Sequence, residues 1–430
     1  MIANETPDLA DSLWTATARK APDCPPLEGD SVADVAVIGA GFTGLSAALH
    51  LAARRKRVVV LEAETPGWGA SGRNGGQINP GLKLLPEDVI ARVGRAEGER
   101  MVATAGAAPD LVFELIQRYG IFCDAVRTGF LRAAHVPRAM QLVTRHVEQW
   151  QARGVAVEPL NAEAIRAHLG GGDYVGGYLD PRGGKLHPLN YALGLAEAAI
   201  REGAAIYGQT RVLRREATGG AHRLVTARGT VRAQRVIIAT NGYSDDVAPI
   251  VRRSVVPVTS VQVATVPLAD DVRATILPGD QTAADTRRLL YYFRLDAEGR
   301  FLMGGRGGLS PEENIDQQAK LRAASLRLFP QLAGATWAHA WGGSVAVTPD
   351  GLPRLNEIAP GVIAGLGYNG IGVAMGTAMG RVMADWATGT APEALDFPVT
   401  PAKAIPFHGA RRTGIRLKAM LYRRLDARGL

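Results

Sequence analysis

The chain has 430 residues and a mass of 45.5 kDa, more than one hydrophobic core usually supports, so we expect two closely associated domains. Its 47% hydrophobic and 21% charged residues are ordinary for a globular protein, and two isolated cysteines exclude a disulfide framework and predict no metal site. The formal net charge is +8, and residues 401–430 hold eight basic residues against one acidic residue, so the rest of the chain is nearly neutral. The N-terminus lacks a signal-peptide core and no apolar run reaches the roughly 18 residues of a membrane span, so we expect a cytoplasmic protein.

The first predicted elements form a βαβ unit. Residues 34–38 are an apolar run of strand length, residues 45–55 have a helical apolar pattern, and residues 58–61 are a second buried-strand pattern. A Gly-x-Gly-x-x-Gly turn, residues 39–44, joins the first strand to the helix. This is the context in which that turn binds a dinucleotide, whereas the bare motif is often only a glycine-rich turn.

Each glycine of this turn has a physical task. Gly39 permits the tight turn, Gly41 lets a pyrophosphate approach the backbone, and Gly44 lets the helix pack closely on the sheet. The helix N-terminus attracts phosphate charge. Glu62, at the end of the second strand, can accept hydrogen bonds from a ribose hydroxyl and would repel a 2′-phosphate. The unit therefore predicts dinucleotide binding.

The segment after Glu62 favours FAD over NAD. A nicotinamide enzyme would continue into another helix and strand, but residues 63–77 form a glycine-rich excursion that ends Gly-Arg-Asn-Gly-Gly-Gln. Its consecutive backbone donors and one guanidinium suit a second approach to a pyrophosphate or a flavin ring.

Near the C-terminus a second glycine-rich turn is predicted. Residues 362–364 read as a strand, residues 365–372 as a loop, and residues 373–386 as a helix of small residues. The N-terminus of such a helix can direct its dipole at the N1–C2=O region of a flavin, where the reduced ring carries negative charge. A simple connection between a strand and a helix is the alternative.

These motifs resemble those of the D-amino-acid-oxidase superfamily of flavoproteins. The resemblance rests on the segments beginning at Val37, Leu61 and Gly69, and the Gly-Arg-Asn-Gly-Gly-Gln signature resembles the γ-glutamylputrescine oxidoreductase branch. It continues in order, over about residues 30 to 392, through the segments 183–191, 235–243, 341–343, 348–353 and 365–373. It implies non-covalent FAD held by Gly39, Gly41, Phe42, Thr43, Gly44, Glu62, Ala63, Ala70, Ser71, Arg73, Asn74, Gly75, Gly76, Gln77, Val212, Ala239, Thr240, Asn241, Gly242, Gly367, Tyr368, Asn369, Gly370, Ile371 and Gly372.

The implied fold class is α/β, with a Rossmann-type FAD-binding domain and an inserted α+β substrate domain built on a mainly antiparallel sheet. The FAD-binding domain is expected at residues 28–86, 186–250 and 350–392, and the substrate-binding domain at residues 87–185 and 251–349. Residues 87–170 have a largely helical pattern, whereas short β-branched or aromatic runs lie at 255–265, 289–294 and 301–305. Long disorder is expected only in the first 30 residues and in the basic tail, residues 393–430.

The resemblance implies that the neutral form of a small amine loses a hydride from its α-carbon to flavin N5, giving an imine that hydrolyses. This chemistry needs orientation and desolvation more than an acid–base pair. The leading expectation is a γ-glutamylputrescine-like or secondary amine, with oxygen or another acceptor taking the electrons. The alternative is an amino-acid dehydrogenase or deaminase that passes electrons to a membrane carrier.

Two departures from relatives bear on substrate and acceptor. Glycine oxidase-like members hold the substrate carboxylate with an arginine whose position here is Val345 or near it, which favours an amine over a small free amino acid. Sarcosine oxidase-like members place a lysine facing the flavin where this chain has Leu302 or Met303, so rapid use of oxygen is in doubt.

Four residues are candidates for the substrate site. Gln77 can reach the flavin edge, Tyr292 precedes a roof strand, Arg306 can bind an acidic end of the substrate, and Trp341 can stack near the flavin. Core packing is the alternative for Tyr292 and Trp341, and a surface or FAD contact for Arg306. His187 is expected to cap or pack at a helix start rather than touch substrate.

The basic tail has three possible roles. It reads first as a solvated helix packed on the last domain. Leu417, Met420, Leu421 and Leu425 can share one face, so peripheral contact with a membrane surface is the second reading. Nucleic-acid binding is not expected, because the tail lacks interleaved stacking aromatic residues.

Overall fold

A computed structural model describes residues 6–428 of the chain. The strands, in chain order, are β1 Gly29–Ile38, β2 Val58–Leu61, β3 Gln77–Ile78, β4 Phe130–Ala134, β5 Glu158–Leu160, β6 Gly176–Asp180, β7 Gly184–Lys185, β8 Ala205–Tyr207, β9 Arg214–Thr218, β10 Ala221–Val225, β11 Gly229–Ile238, β12 Val256–Pro267, β13 Thr282–Asp285, β14 Tyr292–Leu295, β15 Arg300–Arg306, β16 Trp337–Val347, β17 Arg354–Ala359, β18 Val362–Leu366 and β19 Val399–Pro401. The α-helices are α1 Leu13–Ala16, α2 Phe42–Ala53, α3 Pro86–Val93, α4 Arg95–Tyr119, α5 Met140–Gln151, α6 Ala162–Leu169, α7 Pro188–Arg201, α8 Pro249–Ser254, α9 Asp270–Arg273, α10 Pro311–Leu328, α11 Gly372–Ala387 and α12 Arg411–Ala427.

The first sheet has the order β19-β17-β18-β11-β1-β2-β8, with the hairpin β9–β10 attached to β11. Strands β18, β11, β1, β2 and β8 run parallel, so the carboxyl ends of β18, β11, β1 and β2 meet at one edge. Their buried, β-branched residues are covered by α2, α7 and α11, whose small side chains allow close packing. The predicted α/β fold class with a Rossmann-type sheet is confirmed, and one edge of this sheet faces the site.

The second sheet forms a roof, with the order β16-β12-β15-β14-β13-β4-β6-β5. All its neighbouring strands are antiparallel except β13 and β4, which agrees with the prediction of a mainly antiparallel sheet. The helices α6 and α10 cover its outer face, where Phe293, Phe301 and Phe329 form an aromatic cluster. The opposite, inner face of the roof faces the first sheet.

Three local expectations differ from the structure. The expected disorder of the first 30 residues does not hold for the described part, from residue 6 onward, because α1 buries Leu13 and Trp14 against the roof residues Leu302 and Trp341. The range 87–170 contains the strands β4 and β5 in addition to its helices. The tail range 393–430 begins by adding β19 to the edge of the first sheet and ends in α12. The residue ranges predicted for the two domains stay predictions.

Within residues 6–428, no helix combines the length and the apolar character that would be needed to cross a bilayer.

Candidate active site

A single large cavity of about 700 Å³ lies between the carboxyl edge of the first sheet and the inner face of the roof. Its size falls within the range of small-molecule and cofactor sites. Its wall includes every predicted cofactor and substrate residue except Gly44, Gly76, Gly242, Gly367 and Trp341. Five segments that are far apart in the chain therefore meet around one space.

The glycines of the first turn have the geometry that their predicted tasks require. Gly39 has a φ of +102°, which favours glycine, and a Cβ on Gly44 would lie 1.9 Å from the Gly39 carbonyl oxygen. The Glu62 carboxylate accepts hydrogen bonds from the backbone N–H groups of Ala40 at 2.6 Å and Glu64 at 3.0 Å. Burial raises the pKa of Glu62, while these two bonds lower it. The turn and the acid are therefore fixed to each other.

The loop after the turn, residues 69–77, is held by its own polar groups. The Ser71 hydroxyl accepts a hydrogen bond from the Phe42 N–H at 2.9 Å, so the loop contacts the start of α2. Asn74 donates to the carbonyls of Ala70 and Ser71 and accepts from the Gly76 N–H at 2.8 Å. The loop thus presents its backbone to the cavity in one fixed conformation.

Arg73, at the centre of this loop, lies beside two aromatic rings that also contact each other. Its guanidinium carbon is 4.8 Å from the ring centroid of Trp68 and 5.7 Å from that of Tyr243, and its Nε donates to the Trp68 carbonyl. Trp68 and Tyr243 both line the cavity, yet sequence reasoning did not select them. Tyr243 stood within the quoted Asn-Gly-Tyr motif, which could have identified it.

Hydrogen bonds join the C-terminal glycine-rich turn to the first glycine-rich turn and to the segment around Asn241. The Tyr368 hydroxyl lies 2.8 Å from the Thr43 hydroxyl, and both are buried. The Asn241 side chain accepts from the Gly367 N–H at 2.9 Å, while Asn369 accepts from the Thr348 N–H at 3.0 Å. Gly367, which does not line the cavity, therefore acts through Asn241, which does.

Two predicted substrate residues join the cofactor loop to the roof. The Gln77 amide donates to the carbonyls of Ala283 and Phe293 in the roof, although its side chain also lines the cavity. Trp341 lies behind the cavity wall, where its indole N–H donates to the Arg73 carbonyl at 2.9 Å and its ring packs on Trp14. Stacking on the flavin, expected for Trp341, has no support in this position. His187 accepts from the Asn190 N–H and caps α7, as predicted.

Tyr292 is a roof residue that contacts the cofactor loop. A Cβ on Gly75 would lie 2.9 Å from the Tyr292 ring, so loop and ring are in close approach. The Ser260 hydroxyl donates to the Gly305 carbonyl at 3.0 Å, so the Tyr292 hydroxyl donates to Ser260 at 2.9 Å. Burial raises the pKa of Tyr292 to about 12, so the phenol is neutral at physiological pH. Its oxygen keeps lone pairs that can accept a hydrogen bond.

A transverse row of directly opposed residues crosses the roof through Tyr292. From one side to the other it contains Gln262, Gly304, Tyr292, Ala284, Arg132 and Tyr178. All of them except Gly304 line the cavity, because opposed residues share one face of a sheet. Sequence reasoning selected Tyr292 alone, since the register that unites six strands is not visible in any local pattern.

The tail helix α12 closes one side of the cavity. Its Tyr422 lines the wall, and the Asp426 carboxylate accepts from the backbone N–H groups of Arg288 and Leu289. Arg306 also lines this region, and burial, followed by the charge of Arg423, lowers its pKa to about 10. The predicted reading of the tail as a packed helix is therefore correct for its inner face.

The positions that depart from relatives are also defined. Val345 lines the cavity, so no arginine side chain occupies that point. Leu302 lies on the same face as Gly304 but packs against α1 and α7, while Met303 is buried on the opposite side of the roof. Neither provides the amine of a lysine.

The residues present fit a bound FAD. The cradle of Gly39 and Gly41 leaves no room for side chains, since a Cβ on Gly41 would lie 2.9 Å from the Ser71 hydroxyl. The Gln262 amide donates to the Arg73 carbonyl at 2.6 Å, but its buried Oε1 has no protein donor among the described residues. Such an acceptor suits the N–H groups of a flavin ring.

A dinucleotide-binding sheet edge, a glycine-rich second loop and a roof over one cavity define a flavoenzyme. The model of the DAO family, described as FAD dependent oxidoreductase, matches residues 34–386. The chain is 36% identical over 366 residues to the probable oxidoreductase OrdL of Haemophilus influenzae, covering 84% of each protein. It is 33% identical over 413 residues to the γ-glutamylputrescine oxidoreductase of Escherichia coli, covering 95% of this chain and 96% of that protein.

Among solved structures, the glycine oxidase of Geobacillus kaustophilus superposes with a TM-score of 0.71 at 24% identity, covering 85% of this chain and 96% of that one. The chain belongs to the DAO family of FAD-dependent oxidoreductases. It is an enzyme whose cofactor is FAD. The resemblance to this superfamily and to its γ-glutamylputrescine oxidoreductase branch is confirmed.

Proposed function

We propose that this enzyme oxidises the C–N bond of a small primary or secondary amine of the γ-glutamylputrescine type. The observation that carries the proposal is the junction of the Gly75 loop with the half-buried, neutral Tyr292 inside one cavity. The similarity to the γ-glutamylputrescine oxidoreductase of Escherichia coli over almost the whole chain supports the same class of substrate.

The chain's own residues would orient and desolvate the amine. The Tyr292 oxygen, whose proton is given to Ser260, can accept a hydrogen bond from an amine N–H and hold the nitrogen in place. The roof and α12 exclude water from the inner part of the cavity. When bound, FAD supplies the hydride acceptor, and the carbon next to nitrogen loses a hydride while the amine becomes an imine that water hydrolyses.

Anaerobic addition of γ-glutamylputrescine to the purified holoenzyme tests this proposal. Loss of the visible band of oxidised flavin is expected, followed by its return in air. If the band returns only slowly in air, oxygen is a poor acceptor, as the absence of a lysine at Leu302 and Met303 suggests. If neither this amine nor secondary amines bleach the flavin, the proposed function is wrong.

The second candidate function is an amine or amino-acid dehydrogenase that docks on a membrane and reduces a carrier there. One observation favours it: α12 exposes Leu417, Met420 and Leu421 on the face that points away from the cavity. Lys418 and Arg423 flank this outer face, and Phe407, before the helix, is 91% exposed. An apolar face bordered by cations fits the surface of an anionic bilayer.

Co-sedimentation with anionic phospholipid vesicles tests the second candidate. Replacement of Leu417 and Leu421 by serine is expected to reduce binding, whereas Val32→Ser, at an equally exposed apolar residue on β1, leaves it unchanged. Deleting the tail is a poorer test, because it also removes Tyr422 from the cavity wall. Equal binding by the two variants would exclude this surface as the membrane contact.

A further inference from the structure

The outer half of the cavity contains cations that lack acidic partners. Arg132, Lys83 and Arg306 line it, and none of the carboxylates described between residues 6 and 428 forms an ion pair with any of them. Partial desolvation, followed by the charges of Lys418 and Arg132, lowers the pKa of Lys83. Lys83 and Arg132 repel one another, and Asp285, the buried carboxylate whose charge also acts on Arg132, is already ion-paired with Arg287, which indicates that a further anion belongs beside Arg132.

Arg132 and Tyr292 lie in the same transverse row, two strands apart. Tyr292 opposes Ala284, and Ala284 opposes Arg132. Because neighbouring strands are about 4.8 Å apart, the two side chains start roughly 10 Å from each other on one face. Within the row, Tyr292 contacts the cofactor loop at Gly75, and Arg132 places a guanidinium two strands away.

The wall beside Arg132 also carries an unused polar atom. The His146 ring stacks on Tyr178, with centroids 4.2 Å apart and an interplanar angle of 6°. The Nε2 atom of His146 is buried and has no hydrogen-bond partner among the described residues. Burial lowers the pKa of His146 to about 4, so the ring is neutral and can donate from Nε2 to a bound oxygen atom.

We propose that Arg132, assisted by Lys83 and the His146 Nε2, binds a carboxylate at the far end of the amine substrate. The proposal deepens the proposed function and rests on it, because it takes the reacting amine to lie at the Tyr292 end of the row. It assigns the carboxylate to Arg132 rather than to Arg306, which lies one row away beside Ser260.

The separation along the row predicts the length of the substrate. The two side chains leave the sheet roughly 10 Å apart, and the Tyr292 ring leans over Gly304 toward Ser260, away from Arg132. An extended chain advances about 1.2 Å per bond, as a peptide does, so the nitrogen and the carboxyl carbon are separated by about eight bonds or more. Amines that carry a carboxylate about eight to ten bonds away should therefore be preferred over shorter ω-amino acids and over amines with an uncharged end.

The test compares kcat/KM for 8-aminooctanoate, 4-aminobutanoate and octylamine in the wild-type holoenzyme and in Arg132→Gln. We expect the wild type to prefer 8-aminooctanoate to both others, and Arg132→Gln to lose about 10- to 100-fold in kcat/KM on that substrate alone. Arg232→Gln, at an exposed arginine on β11, is the matched control and should retain the preference. Calorimetric binding of octanoate, which cannot be oxidised at an amine, should weaken in Arg132→Gln by a similar factor.

The outcomes separate this inference from the function on which it rests. If octylamine and 8-aminooctanoate are oxidised equally well, or if Arg306→Gln abolishes the preference while Arg132→Gln keeps it, the assignment to Arg132 is wrong and amine oxidation stands. If no amine reduces the flavin but octanoate binding still depends on Arg132, the anion site stands and the proposed function fails.

Discussion

Gly304 tests the geometry of the roof most directly, because it lies under the ring of Tyr292. A Cβ at this position would be 2.0 Å from the Tyr292 Cζ and 2.3 Å from its hydroxyl oxygen, and the backbone of Gly304 lies outside the left-handed region. Gly304→Ala therefore forces the ring away from Ser260 without straining the backbone. Overpacking of this kind costs about 1–3 kcal/mol of unfolding free energy, and displacement of the ring into the cavity should lower kcat/KM.

Gly304→Ala should stabilise the protein, rather than destabilise it, when the Tyr292 ring is absent. In a Tyr292→Ala background, Gly304→Ala removes no contact and gains about 0.5 kcal/mol from the lower backbone entropy of alanine. The two effects give a coupling energy of about 1.5–3.5 kcal/mol, measured by urea unfolding of the four proteins in the cycle. Gly334→Ala, where nothing lies within 4 Å, serves as control. Equal destabilisation by Gly304→Ala in both backgrounds would refute the contact.

Three other substitutions have defined outcomes. Tyr292→Phe should raise KM for amines but leave the pH dependence of kcat/KM unchanged below pH 10, because burial raises the Tyr292 pKa to about 12; a lost alkaline limb would contradict this. Thr43→Val leaves the buried Tyr368 hydroxyl without its partner and should cost about 1–3 kcal/mol on unfolding, whereas Thr43→Ser should cost less. Burial lowers the pKa of His187 from an unfolded value near 6.5 to about 4, so its contribution is present above pH 6.5 and is lost as the pH falls toward 4. His187→Asn keeps a capping acceptor and should reduce this acid loss of stability by up to about 3 kcal/mol, measured by unfolding at a series of pH values.

The cofactor half was predictable because its signals are local. The first strand, the turn and the helix α2 follow one another directly, and both the positive φ of Gly39 and the close approach of Gly44 to the Gly39 carbonyl are set within a few residues. Gly242 and Gly367 belong to the same motifs but stand behind the wall, because a motif defines a turn and not the direction of each of its residues.

The substrate half was largely not predictable, since it depends on register. Arg132 and Gln262 face one cavity only because β4 and β12 enter the same sheet, with the three strands β15, β14 and β13 between them. His146 is brought to Tyr178 by the packing of α5 on β6. Trp341 lies on a roof strand, as its motif indicates. Its position behind the cavity wall was not predictable, because its ring packs on Trp14, which comes from an N-terminal segment that was expected to be disordered.

The carbonyl groups of the cofactor loop are fastened by residues that are synthesised at very different times. Trp14 donates to the Asn74 carbonyl from 60 residues upstream, whereas Gln262 and Trp341 donate to the Arg73 carbonyl from 189 and 268 residues downstream. During translation the whole loop is therefore synthesised long before Trp341, the last of these hydrogen-bond donors, leaves the ribosome. We expect a nascent chain that ends before Trp341 to hold FAD poorly, so that cofactor capture is a late, near-final step in the maturation of this enzyme.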